Sequence, residues 1–411
     1  MRSGRMSAAA LALTVTAIVV GPATPAQAAY SDPLTTLSTS GLGLVWHATP
    51  AAAISALDAA LPNVGVATVV GDANRPMPAC TAGQNAASLP ITPVAVEKLC
   101  WESDDAGSTT WTPQGVTTSG DADDDGAWGA NQVILSGWHY APDSARYDDG
   151  RVAFIDANNL GSAAYRWVYL VAPNSTGSTF SAAKTHLGGM VWYGDKLLVT
   201  AVGNTSVAIR VFSMSHILRV NDASATIGRT GSGYAAYGYK YVMPQIGYYS
   251  YAGGTCDMSS DTGVPCFSSL SLDRSTSPDS LVTTEYFSDA TKDGRLIRYP
   301  FGTDYLLATG TGGVAASQAY RSGVGNMQGV LSRDGVWYVA HSSATYHGQL
   351  WRQTTAASTS DTCTTPDTSA YMCWAVHPEG LTYWEKTGMV WSQTEYPGLR
   401  TLFAVPLTAF P

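Results

Sequence analysis

The stretch His377–Trp384 reads "HPEGLTYW", and two other stretches repeat its pattern: "TPQGVTTS" at 112–119 and "NMQGVLSR" at 326–333. Each places an amide or a carboxylate before a glycine and then runs half-apolar. A phrase written several times in one chain points to a repeated structural unit. Aligned outward from the phrase, the sequence divides into five units. The first reads "TPQGVTTS", "QVILSGWHY", "GRVAFIDA" and "YRWVYLVAP". The second reads "HLGGMVWYG", "KLLVTAVGN", "VAIRVFSM" and "YKYVMPQIG". The third reads "CFSSLSLD", "SLVTTEYFS", "GRLIRYPF" and "YLLATGTGG", and the fourth "NMQGVLSRDG", "VWYVAHSS", "GQLWRQTT" and "YMCWAV". The fifth stops at three runs: "HPEGLTYWEKTG", "MVWSQTEYP" and "RTLFAVPL".

These short runs are β-branched and aromatic and are divided by Gly, Asp or Ser turns, so they read as strands joined by hairpins. The phrase is strict in three units. It is partial in the second, where Gly188 and Gly189 follow His186, and lost in the third, where Phe267 and Ser268 stand. The strand missing from the fifth unit is supplied by "EKLCWESD" at 97–104, which resembles "AYMCWAVHP" at 370–378. An N-terminal strand that completes the last unit closes a ring. Four-stranded units repeated around an axis make a β-propeller. The expected fold is therefore all-β, a five-bladed propeller closed by that strand, or six-bladed if residues 30–96 hold a degenerate unit. A β-sandwich does not explain the repeated four-strand order.

Composition agrees with an all-β chain. Only 13% of residues are charged, while Gly (41), Tyr (22) and Trp (12) are plentiful. Glu and Lys, the common fillers of helix surfaces, are scarce. The clearest helix pattern is "TPAAAISALDAALPN" at 49–63, with Thr49 placed to cap it and Pro50 at its first turn.

Arg2 and Arg5 precede an apolar run through Val20 and then "PAQA" ending at Ala28. This is the layout of a secretory signal over residues 1–28. The run is about fifteen residues, short of the ~20 needed to span a bilayer. Residues 29–96 then form an N-terminal extension, and 97–411 the propeller. Losing the two arginines takes the net charge from −9 to −11, which argues against nucleic acid or anionic membrane as partners. A secreted, extracellular monomer is expected. Six cysteines suit an oxidising compartment and fall into three local pairs: Cys80 with Cys100, Cys256 with Cys266, and Cys363 with Cys373. Six cysteines allow 15 connectivities, and sequential pairing rests on proximity.

The phrases "HLGGMVWYGDKLLVTAV", "LSLDRSTSPDSLVTTEYF", "NMQGVLSRDGVWYVA" and "PEGLTYW" resemble those of a family of secreted actinobacterial proteins. That family implies a propeller and no particular activity. The Glu-Gly at a blade start is also similar to lactonase-like and apyrase-like propellers, where such residues reach a central calcium.

In a propeller the innermost strand of each blade lines the axis. The phrase then sets Gln114, His186, Gln328 and Glu379 around the axis mouth, either to meet a ligand or to seal the tunnel by bonding one another and water. The turn after each second strand should lie on the same face. Those turns carry Trp138, His139 and Tyr140; Glu285 and Tyr286; His341 with Tyr346 nearby; and Glu395 with Tyr396. His377 joins them through the phrase. Glu379, Glu285 and Glu395 are the candidate acids and bases, with His139 and His341 as further catalytic candidates. The tyrosines and Trp138 offer flat surfaces for sugar rings.

"GDADDDGAWGANQ" at 120–132 holds Asp121, Asp123 and Asp125 before Gly126, an alternation that fits a structural calcium loop. Gly129 and Gln132 fit its later positions poorly, and a solvated acidic hairpin tip is the alternative. "YDDGR" at 147–151 reads as an ordinary Asp-Gly turn.

These features point to a carbohydrate-active propeller, a hydrolase or lyase on an extracellular polysaccharide. The alternative is a non-catalytic module binding a glycan, a small ligand or a protein. A calcium-dependent phosphoester or lactone hydrolase is a lesser alternative.

Overall fold

The half-apolar run of each phrase is a β-strand, and each such strand opens a meander of antiparallel neighbours. The structure is a computed structural model. It describes residues 30–410 except 79, 81–85, 202–204, 288, 290–291, 344–345 and 365–369, so the signal segment lies outside the described residues. The chain is all-β, with 45% strand and 9% helix.

In the first unit, Trp111–Thr118, Val133–Tyr140, Gly150–Asp156 and Ala164–Pro173 pair in chain order. In the second, Met190–Tyr193, Lys196–Thr200, Val207–Ser213 and Tyr241–Tyr251 do the same. The outer strands of these two units also pair in parallel over Val168–Val171 and Tyr241–Pro244, which fuses them into one 14-stranded sheet. The third unit is Phe267–Asp273, Ser280–Glu285, Gly294–Pro300 and Gln318–Ser322. The fourth is Met327–Arg333, Val336–His341, Gln349–Gln353 and Ser358–Ser360. The fifth is Pro378–Trp384, Met389–Thr394 and Thr401–Pro406, and its fourth strand is Glu97–Cys100, with Thr401 opposite Cys100.

Two outer strands differ from the sequence reading. In the third unit the apolar run at 305–313 is not the fourth strand. Thr309–Gly310 and Gly313–Val314 form a small hairpin that meets Leu44, and the less apolar Gln318–Ser322 takes the fourth place instead. In the fourth unit the edge strand is Ser358–Ser360, while Cys373–Trp374 carries no strand, so its likeness to Cys100–Trp101 is one of composition. Outer strands are half solvated and make few contacts, so their periodicity is the weakest signal in a meander.

Residues of the N-terminal extension supply edges to existing sheets. Thr35–Thr36 pairs with Tyr320–Arg321, and Leu44–Ala48 pairs with Gly247–Tyr251. The helix runs over Ala51–Ala60, and a second covers Gly65–Gly71. Thr49 does not cap the first helix, because its hydroxyl donates to the Gln245 carbonyl at 2.9 Å and so ties the extension to the second unit. All three disulfides pair as neighbours in sequence, Cys80–Cys100, Cys256–Cys266 and Cys363–Cys373. No described helix is long and apolar enough to cross a membrane.

A β-bulge marks the phrase position in most units, including the third, which lacks the phrase itself. In four of the five first strands the pairing register slips at this point: between Pro113 and Val116, Phe267 and Ser269, Met327 and Gly329, and Glu379 and Thr382. A bulge bends its strand and re-aims a side chain. The glycines serve a second purpose. A Cβ on Gly115 would lie 2.7 Å from the Leu187 carbonyl oxygen, and one on Gly189 would lie 1.9 Å from the Leu270 nitrogen. A Cβ on Gly329 would press on Leu381 and Gly380, and one on Gly380 would press on Val116 and Gly115. Between the third and fourth units, where the glycine is missing, Ser268 donates its hydroxyl to the Met327 carbonyl at 3.4 Å. The five first strands therefore touch in sequence order, and the fifth returns to the first.

Backbone contact at this range leaves no room for a methyl group. Gly189→Ala is expected to destabilise the protein by about 3 kcal/mol or more. Gly312→Ala, at a site with nothing within 4 Å of the added carbon, is the control and should shift stability by less than about 0.5 kcal/mol. Urea denaturation midpoints of the two variants check this.

Candidate functional site

Phrase positions of four units meet at one cavity of about 360 Å³. Gln114, Gly188, Ser268 and Gln328 line it, which are the phrase positions of four units. His186, Tyr147, Tyr286 and Met258 complete much of its wall. The entry to three of the first strands is left-handed: Leu187 at φ 62°, Asn326 at φ 47° and His377 at φ 44°. Asn tolerates this region, whereas Leu is unfavourable there and must be held by its surroundings.

Glu379, the phrase residue of the fifth unit, is fully enclosed, and neither carboxylate oxygen has a hydrogen-bond partner. Burial, with Glu395 close by, holds this carboxyl well above the usual range. A buried carboxyl without partners is rare, because the ionised form loses its hydration without replacement. Glu395 is the opposite case. One oxygen accepts from Gln114 Nε2 at 3.2 Å and the other meets His377 Nδ1 at 3.2 Å. His377 also stacks on Tyr396, with ring centroids 4.0 Å apart. Its Nε2 is buried without a partner. Tyr286 lines the cavity, and burial raises its phenol, with the carboxyl groups of Glu379 and Glu395 adding to the rise.

A second cluster sits on the same face. His139 Nδ1 and His186 Nδ1 each lie 3.1 Å from Asp148 Oδ1, and the two imidazole rings are 3.9 Å apart. Burial opposes ionisation of Asp148, but the two histidines outweigh it and bring the carboxyl down to about 2. Burial lowers His139, and the neighbouring His186 adds to that; Asp148 and Glu395 pull the other way.

Several expected residues are used elsewhere. Glu285 is fully occupied by Arg295, which binds it through Nε and Nη2 at 2.6 Å each and through its backbone N–H at 3.1 Å. Its carboxylate is committed to a buried ion pair with Arg295 and not to Glu379. His341 is buried, meets the Gly325 carbonyl through Nδ1 at 2.8 Å and packs on Tyr30, so it is a structural residue. Trp138 is fully buried between Trp101 and Trp167 and donates to Ser136, so it offers no platform to a ligand. Tyr140 packs on Trp111 and under the Arg146 guanidinium, away from the cavity lining. Tyr346 is exposed and also outside that lining.

The aspartate loop does not form a ligand cage. Asp121 turns inward and accepts from the Thr117 and Thr382 hydroxyls at 2.6 and 2.8 Å, which links the first and fifth units. Asp123 accepts from the Asp125 backbone N–H, and Asp125 from that of Ala127. Such side-chain-to-backbone bonds explain the alternation of aspartates as turn chemistry. A single helical turn, Ser119–Ala122, opens the loop.

The sequence reading missed Asp148, Tyr147 and Gln393. Asp148 lies within the stretch taken as an ordinary turn, and its left-handed backbone, φ 58°, aims it at both histidines. Gln393 is fully buried and donates to the Gln114 and Gly115 carbonyls at 2.8 and 3.1 Å, holding the first bulge. Its position near the end of the strand, two residues before Glu395, was its only available signal.

No family model matches this chain, and no curated protein matches it. The likeness to secreted actinobacterial proteins thus rests on the phrases alone, and the functional reading rests on site geometry.

Asp121 makes a pH prediction. Burial lifts its carboxyl to about 6 despite the two threonine hydroxyls. In the unfolded chain it returns to about 4. Ionised Asp121 therefore costs stability above pH 6, and this cost fades as pH falls toward 4, because the folded state takes up the proton first. Between pH 7 and pH 4 the wild type should gain stability relative to Asp121→Asn by up to roughly 3 kcal/mol. Urea midpoints measured across this range for both proteins provide the check.

Proposed function

We propose that the five units are the blades of a closed, five-bladed β-propeller, exported from the cell, whose axial cavity takes an extracellular polysaccharide and hydrolyses it. The ring of contacts among the first strands and the completion of the fifth sheet by Glu97–Cys100 support the propeller. The three disulfides and the signal-like N-terminus support export.

The observation that carries the chemistry is the contrast between Glu379 and Glu395. Two neighbouring carboxyl groups in different environments divide into an acid and a base. Glu379, partnerless and held protonated, is the proton donor to the leaving oxygen. Glu395, oriented by Gln114 and His377, is the base or nucleophile. Tyr286 and Tyr147 supply ring surfaces at the cavity wall, and Gln328 and Gln114 supply hydroxyl partners. Within the earlier set, Glu285 and His341 are withdrawn from this role.

The second reading is a non-catalytic glycan-binding propeller. What favours it is the enclosure of Glu379, which has no exposed surface. A hydrolase on this plan must open that carboxyl to the substrate, and a binding module need not.

The test is incubation of the mature protein with plant, algal and microbial polysaccharides, following new reducing ends and the absorbance of unsaturated products. Hydrolysis raises reducing ends alone. Glu379→Gln is then expected to lower turnover by about two to four orders of magnitude with the far-UV spectrum unchanged. Retained turnover in that variant removes Glu379 from the mechanism. Both signals rising together would mean a lyase. Silence across the panel with saturable binding to one glycan would establish the binding module.

A further inference from the structure

The histidine–aspartate cluster joins three chain segments that are separate in sequence. His139 lies one residue from the end of the second strand of the first unit, Asp148 stands in the turn that follows, and His186 lies in the link to the second unit. Their ligand atoms all fall within 4.8 Å of one another. Among the described residues this is the one group of three or more His, Cys, Asp or Glu side chains so gathered.

We propose that His139, Asp148 and His186 bind a divalent transition-metal ion of the Zn²⁺ type at the edge of the axial cavity.

Three observations support the assignment. The two Nδ1···Oδ1 separations are both 3.1 Å. Ligand atoms bound at 2.0–2.1 Å in a tetrahedral site lie about 3.3 Å apart, so each imidazole–carboxylate pair is already near that spacing, and all the ligand atoms lie within 4.8 Å of one another. The donor set is two imidazoles and one carboxylate. Nitrogen-rich sets of this kind suit zinc and its first-row neighbours, whereas calcium takes six to eight oxygens. Finally, Asp148 stands at φ 58°, and one of its carboxylate oxygens meets the Nδ1 of both rings. Non-glycine residues in this region carry a conformational cost and cluster at functional sites.

The metal replaces the proton that each Nδ1 otherwise directs at Asp148. His139 and Asp148 are buried, while His186 and the adjacent Tyr147 line the cavity. The fourth position of a tetrahedral ion then faces the cavity, where water or a ligand oxygen can occupy it. Three protein ligands with one open position distinguish a ligand-binding or catalytic ion from a closed structural one. The proposal does not depend on glycan hydrolysis, because its readout is metal binding.

The experiment uses untagged mature protein, stripped with a chelator and desalted, then titrated with Co²⁺ and with Zn²⁺. The expected result is one ion per chain with micromolar or tighter affinity. Co²⁺ should develop visible absorption bands of a four-coordinate site, and Zn²⁺ should displace it. His186→Ala, whose side chain is half-buried, and Asp148→Asn should each weaken binding at least tenfold while the far-UV spectrum is retained. Absence of Co²⁺ bands in the wild type overturns the proposal, as does unchanged binding in a folded His186→Ala variant. If both variants misfold, thermal melting of the wild type decides. A rise in midpoint with Zn²⁺ and none with Ca²⁺ supports the site, and equal response to both ions overturns it.

Discussion

Backbone-to-backbone approach at the glycines of the first strands is the constraint on which the rest of the structure depends. Gly115 and Gly189 let their strands approach so closely that an added methyl group would collide with main-chain atoms, and Gly329 and Gly380 pack tightly against the next strand. The fifth contact, between Gly380 and the Gly115–Val116 segment, brings the last unit back to the first. With the ring this tight, the residue before each glycine has one place to go. It projects from a bulge toward a common cavity, as Gln114 and Gln328 do, or into an enclosed site beside it, as Glu379 does.

The same position in different units has been put to different uses. Glu285 ends a second strand, Glu395 directly follows one, and both precede a tyrosine. Arg295 holds Glu285 through three hydrogen bonds in a buried ion pair, whereas Glu395 meets Gln114 and His377. His341 and His139 diverge in the same way. His341 is held by the Gly325 carbonyl and Tyr30, while His139 shares Asp148 with His186. A cation or carbonyl nearby in space, far away in sequence or hidden in a turn, decides which end residues are structural and which remain available.

Enclosure of an uncompensated carboxyl is costly, and this protein places one where its units converge. The surrounding polar groups are spent on holding the bulges: Gln393 binds the Gln114 and Gly115 carbonyls and accepts from Ser136, and Ser136 accepts from Trp138. None of them turns to Glu379. Asp121, the other carboxyl buried between the first and fifth units, receives two hydroxyls and is correspondingly less perturbed. The two groups show that the fold can satisfy a buried acid at this interface, and that it does so at one and not at the other.

The sequence by itself determined the all-β class, the inner strands, the strand that completes the fifth sheet and the local cysteine pairs. Period-two patterning, turn residues and the repeated phrase are local signals, and inner strands are buried on both faces, so their pattern is strong. It also brought Gln114, His186, Tyr286, Gln328, Glu379 and Glu395 to one face, because equivalent positions in repeated units share a direction. Only the tertiary structure decided the outer strands at 318–322 and 358–360, which carry little apolar periodicity. It alone withdrew Glu285 and Trp138 into ion pair and core, turned Asp121 inward, and set Asp148 between two histidines. Those outcomes depend on which side chains meet across units, and no local pattern encodes a partner that lies tens or hundreds of residues away.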